Sequence, residues 1–166
     1  GDMDPILATA ARWSAEVDEN IERIVHGVAA LPGVKETFAE LAQFADIVIV
    51  SATPHEAIVR EWGAQGLLEH ITVVAGQEIG TKKECIRKAM TDKYAVDKVL
   101  MVGDAPGDND AALANGVQFY PIVPGREVES WSRLREEAAA KFHNGNYAGE
   151  YMEARLVEFD AVLRDE

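Results

Sequence analysis

Two carboxylates, Asp104 and Asp108, stand four residues apart in Gly103-Asp104-Ala105-Pro106-Gly107-Asp108, directly after the apolar run Val99-Leu100-Met101-Val102. Acids held this close repel, so they call for a shared proton or a cation. Hard oxygen ligands on a short loop suit Mg²⁺, which takes one or two protein carboxylates and completes its shell with water and phosphate oxygens. The alternative use of the same residues is local, with Asp108 capping a helix and Asp104 as a solvated turn residue. Two further loops carry groups that could join them. Ser51-Ala52 follows Ile47-Val48-Ile49-Val50, and Lys82 follows Gly80-Thr81. The Ser51 hydroxyl with the Ala52 amide, the Lys82 ammonium and a metal held by Asp104 and Asp108 would together hold a phosphoryl group. Taken singly, Ser51 reads as a loop or capping hydroxyl and Lys82 as a solvated lysine.

Such a grip needs all three loops on one edge of a sheet. Residues 46–50, 71–75 and 99–102 are short apolar runs, as expected of strands buried on both faces. Residues 117–122 form a last, partly polar strand, placed nearer the sheet edge. Helices alternate with these strands. Residues 34–44 are amphipathic. Thr53-Pro54-His55-Glu56 predicts a helix start with Thr53 as N-cap, Pro54 in the first position and Glu56 closing a capping box. Thr81-Lys82-Lys83-Glu84 repeats that pattern and opens a helix to about residue 90. A further helix follows Asp108 and ends at Asn115-Gly116. The expected fold is therefore α/β, a three-layer Rossmann-like parallel sheet with helices on both faces, its ligands at the carboxyl edge.

Three segments follow from this pattern: residues 1–30 as an N-terminal helical segment, 31–123 as the α/β core, and 124–166 as a C-terminal helical extension. In the first, Trp13, Val17, Ile21, Ile24, Val25 and Val28 recur at helical spacing. In the last, residues 127–142 and 147–163 read as two helices. Met152, Leu156, Phe159 and Leu163 line one side of the second, a stripe that packs on its own domain or, alternatively, forms the arm of a homodimer. Trp13, Trp62 and Trp131 are expected between helices, and His26, His55, His70 and His143 show no ligand spacing.

Composition narrows the function classes. The chain has 166 residues, 48% of them hydrophobic, enough for one domain with a proper core. Its formal net charge is −13, and it has no dense Lys/Arg cluster, which argues against nucleic acid and anionic membrane surfaces. Cys85 is the single cysteine, so no intrachain disulfide forms, and its helical setting offers no activating partner. With neither a membrane-length apolar run nor a signal-peptide pattern, the expected location is the cytoplasm.

From about Leu31 to Pro121 the chain resembles the haloacid dehalogenase superfamily of hydrolases, in particular its phosphatases of the phosphoglycolate-phosphatase type. Leu31-Pro32-Gly33-Val34 looks like the family's return from cap to core. Ile47-Val48-Ile49-Val50-Ser51 is similar to its second motif, whose Ser or Thr binds phosphate. Gly80-Thr81-Lys82-Lys83-Glu84 is similar to the third, placing the family lysine at Lys82, with Lys83 as the fallback. Gly103-Asp104 to Asp108 is similar to the fourth, G-D-x-x-x-D, which implies Asp104 as the direct Mg²⁺ ligand and Asp108 as a second ligand or a brace. The implied activity is Mg²⁺-dependent hydrolysis of a small phosphorylated metabolite through an aspartyl-phosphate.

The family's nucleophile, the first Asp of a D-x-D motif after an apolar strand, has no counterpart in place. Asp2-Met3-Asp4 has the letters without the strand. In the family that missing strand would lie between the strands leading to Ser51 and Asp104. The alternative expectation is therefore a non-catalytic domain of the same fold that binds a partner.

Overall fold

Short, β-branched apolar runs form the strands and capped amphipathic stretches the helices. In the computed structural model, which describes residues 30–91 and 93–164, the order is as follows. Helix α1 (Val34–Leu41) precedes β1 (Val48–Val50), α2 (His55–Ala64) and β2 (Val73–Ala75). Then come α3 (Lys82–Met90), β3 (Leu100–Gly103), α4 (Pro106–Asn115) and β4 (Gln118–Pro121). The C-terminal part holds α5 (Glu127–Arg133), a wide π turn over Leu134–Ala138, α6 (Ala139–His143) and α7 (Glu150–Arg164). The readings made for residues 1–29, including the helical segment, Trp13, His26 and Asp2-Met3-Asp4, fall outside the described residues.

All four strands pair in parallel, as apolar strands alternating with helices should. They do so as two separate ribbons. Val48, Ile49 and Val50 pair with Val73, Val74 and Ala75, and Leu100 to Gly103 pair with Gln118 to Pro121. Among the described residues β1 and β3 share no ladder, so the single continuous sheet expected from the sequence is not seen.

Both faces of the β3–β4 ribbon are covered. Alternate side chains of a strand point to opposite faces. On one face Met101 and Phe119 meet Ile86, Ala111, Ala112 and Phe159, from α3, α4 and α7, and Val117 from the link before β4. On the other, Leu100, Val102, Tyr120 and Ile122 meet Leu134, Ala138 and Tyr147. The apolar stripe of α7 thus packs on its own domain through Phe159, with Leu156 and Leu163 beside it. Trp62 and Trp131 also sit between helices, their rings 6.0 and 5.8 Å from that of Phe38. No helix among the described residues is long and apolar enough to cross a membrane.

Candidate active site

Each parallel strand runs into a loop and then a helix, so the loops after β1, β2 and β3 are the places to look for chemistry. Ser51 is the first residue beyond β1. Its N–H donates to the Ala75 carbonyl at the end of β2 (3.0 Å), and its Oγ accepts from the Thr53 N–H (3.1 Å). Ala52 is exposed beside it. The hydroxyl closes a short turn that turns the chain into α2.

The start of α2 departs from the sequence expectation. Pro54, not Thr53, is the N-cap residue, and no side chain of the segment caps it. The first helical N–H, that of His55, instead donates to both carboxylate oxygens of Glu78, at 3.1 and 3.2 Å. Glu78 lies in the short 3₁₀ turn Gln77–Ile79 beyond β2, and the Gln77 N–H donates to the Thr53 carbonyl (3.0 Å). Glycine is required at Gly76, since a Cβ there would sit 2.6 Å from the His55 nitrogen. An acid from a neighbouring loop therefore satisfies the helix terminus and favours its dipole. The pair lies 23 residues apart, beyond the reach of any local capping pattern.

At α3 the local pattern holds. The Thr81 N–H donates to the Glu84 carboxylate (2.8 Å), and the Thr81 Oγ1 accepts from the Glu84 N–H (3.3 Å). The Thr81 N–H, together with the Thr81 hydroxyl that also donates to this carboxylate (3.0 Å), holds the Glu84 carboxyl below its ordinary pKa. The box fixes Lys82 in the first position of α3, from which its ammonium donates to Oδ1 of Asp108. Asp108 is 2% exposed. Its Oδ2 accepts from the Asp104 and Ala105 N–H groups, both at 3.2 Å. A Cβ at Gly103 would overlap that carboxyl group, so glycine lets the acid tuck under the end of β3.

The Lys82–Asp108 contact fixes the relation of the two ribbons, because Lys82 follows β2 and Asp108 follows β3. The carboxyl ends of β1, β2 and β3 therefore lie at one rim. Asp104 is exposed there, its N–H held by Asp108, and among the described residues no hydrogen bond or ion pair engages its carboxylate. Lys83, the fallback lysine, offers only its backbone carbonyl, to Asn115 (3.1 Å). Among the described residues no group of three or more His, Cys, Asp or Glu is placed to hold a metal. Mg²⁺ needs only one or two carboxylates from the protein. One free acid, Asp104, fits that need, while both oxygens of Asp108 are already engaged.

Other reactive groups stand apart. Cys85 is buried, its thiol aimed at the Gly80 carbonyl at 3.6 Å, and burial pushes its pKa up, which disfavours a thiolate nucleophile. A cavity of about 300 Å³ behind β2 is lined by Asp46, Val73, Ile79, Lys88 and Tyr94 among others, and by none of the rim residues.

A family model for haloacid dehalogenase-like hydrolases matches residues 5–122. Neither the curated proteins nor the solved structures compared with this chain gave a match.

Proposed function

The chain belongs to the haloacid dehalogenase-like hydrolases, and from that premise we propose that it is a Mg²⁺-dependent phosphatase acting on a small phosphomonoester. The observation that carries this reading is the Lys82–Asp108 contact, which brings the loops after β2 and β3 to the rim where Ser51 ends β1. In this reading the Ser51 hydroxyl and the Ala52 N–H hold phosphoryl oxygens. Lys82 supplies a positive charge, oriented from below by Asp108. Asp104 is the direct Mg²⁺ ligand. Asp108 braces the site, since its oxygens are committed to Lys82 and to the Asp104 and Ala105 amides. Bound Mg²⁺ supplies charge neutralisation at the phosphoryl group. The attacking carboxylate of the aspartyl-phosphate route is not assigned to a residue of this chain.

One observation favours a second reading, binding without turnover. The residues directly after the four strands are Ser51, Gly76, Asp104 and Ile122, and the single acid among them is the proposed metal ligand. Titration of the chain with vanadate and Mg²⁺, followed by calorimetry, tests what the two readings share. Binding should require both, and should fall at least tenfold in Asp104→Asn and in Lys82→Ala. Equal binding in Asp104→Asn would remove the metal role. Hydrolysis of p-nitrophenyl phosphate then separates enzyme from binding domain.

A further inference from the structure

The loop between β1 and α2 has little of its own to hold it in place. Ala52, Thr53 and Pro54 are all exposed, so burial does not fix their course. Pro54 lacks an N–H, and no side chain caps the start of α2 at that position. Within the loop, the Ser51 Oγ accepts from the Thr53 N–H (3.1 Å), which leaves the Ser51 proton for another acceptor.

Anchoring comes from the β2 side, at three points. The Ser51 N–H donates to the Ala75 carbonyl and the Gln77 N–H to the Thr53 carbonyl, both at 3.0 Å. The His55 N–H donates to both carboxylate oxygens of Glu78, at 3.1 and 3.2 Å. The first two are backbone bonds that almost any sequence can make. The third depends on the side chain at position 78, and an ionised acceptor makes it the strongest of the three. It acts where the loop ends and α2 begins.

The turn that carries Glu78 is fixed in its own right. The Ile79 N–H closes it on the Gly76 carbonyl (3.1 Å), and the Lys88 Nζ of α3 donates to the Ile79 carbonyl (2.7 Å). Helix α3 also carries Lys82 in its first position, held there by the Thr81–Glu84 box. One helix therefore sets both arms of the proposed phosphate grip. It sets Lys82 directly, and Ser51 with Ala52 through the 76–79 turn.

We propose that Glu78 is a positioning residue for phosphoryl binding. By holding the His55 amide it keeps residues 51–54 in the one course that presents the Ser51 hydroxyl and the Ala52 N–H together, in register with Lys82. The proposal rests on the phosphatase reading above. A loop ordered in advance spares the ligand the cost of ordering it, and a misplacement of about 1 Å can lower the effectiveness of such a site by about 10²-fold. Glu78 acts through its acceptor oxygens and not through its charge, since a negative group at the rim opposes a bound anion. Glu78→Gln separates the two, because it keeps an acceptor and removes the charge.

Wild type, Glu78→Ala, Glu78→Gln and Ile58→Val are compared by calorimetric titration with vanadate in the presence of Mg²⁺ and, without ligand, by amide exchange read residue by residue. Ile58 is buried in α2, so shortening it weakens the helix without touching the loop. Glu78→Ala should weaken vanadate binding at least tenfold and speed exchange at Thr53 and Gln77 at least tenfold. Glu78→Gln should stay within threefold of wild type in both measurements. Ile58→Val should lower the thermal midpoint yet bind vanadate within threefold of wild type. Wild-type or tighter binding in Glu78→Ala, a Gln variant as weak as the Ala variant, or an equal loss in Ile58→Val would each overturn the positioning role. Failure of the wild type to bind vanadate would instead strike the phosphatase reading. The exchange rates need no ligand, and unchanged rates at Thr53 and Gln77 in Glu78→Ala would by themselves overturn the role of Glu78.

Discussion

Asp108 shows how spacing alone leaves the use of a residue open until its partners are known. The spacing Asp104–Asp108 allows either a metal pair or a helix cap, and the structure gives Asp108 the cap together with an ammonium. Its carboxylate takes two backbone N–H groups at the start of α4 and the Lys82 Nζ. The partner could not be read from spacing, because Lys82 and Asp108 are 26 residues apart and meet only through the fold. Removing one member of such a pair costs more than the pair contributes, since the buried survivor is left without compensation. Lys82 is about one-third exposed, which allows water to offset part of that cost. Lys82→Met should therefore destabilise the chain by about 2 kcal/mol in urea unfolding. Adding Asp108→Leu should recover part of that loss. A double variant as unstable as the sum of the two singles would show that the pair does not couple.

At the scale of elements, two helix starts with similar sequence patterns are held in different ways. Thr81 to Glu84 is a capping box in the sequence and in the structure, because all its partners lie within three residues. Thr53 to Glu56 has the same letters, but the Ser51 turn and Pro54 place the helix start one residue later. Glu78 then caps α2 from a loop beyond β2. Patterns closed by local bonds were legible, and those closed across the fold were not. Glu78→Ala should cost about 1 kcal/mol and increase exchange at the His55 amide. Acid should act on α3 first through Glu84. A carboxyl held low in the folded state contributes stability that is present above its unfolded pKa and lost as pH falls through the folded one. Exchange at the Thr81 amide should therefore exceed the intrinsic pH trend increasingly below about pH 4.5. In Glu84→Gln that excess should vanish, and an unchanged profile would dissociate the box from acid sensitivity.

For the whole molecule, the order of strands and helices over residues 30–164 was legible in the sequence, because β1, β2 and β3 are apolar runs and most helices carry their own period or caps. Pairing between strands was harder to read, since it depends on which elements lie side by side. Continuity of the sheet and the half-buried state of β3 belong to that class. The C-terminal helices give the clearest test of how the molecule holds together. Tyr147 and Phe159 are fully buried against β4, one through a hydrogen bond to the Phe119 carbonyl and the other through its ring, 6.0 Å from that of Phe119. If these helices complete the core, their loss must weaken the strands. Phe159→Ala should lower the stability of the entire unit by about 3–5 kcal/mol. Tyr147→Phe, which strands a buried carbonyl, should lower it by about 1–2 kcal/mol. Burial raises the Tyr147 phenol well above its ordinary pKa. A group raised in this way contributes stability that is present below its unfolded pKa, near 10, and lost as pH climbs toward the folded one. Tyr147→Phe should consequently flatten the loss of stability above about pH 10. Tryptophan fluorescence and far-ultraviolet dichroism should report one coincident transition in every case. A separate early transition of the helices, with the strands still folded, would show that the C-terminal segment is an appendage and not part of the core.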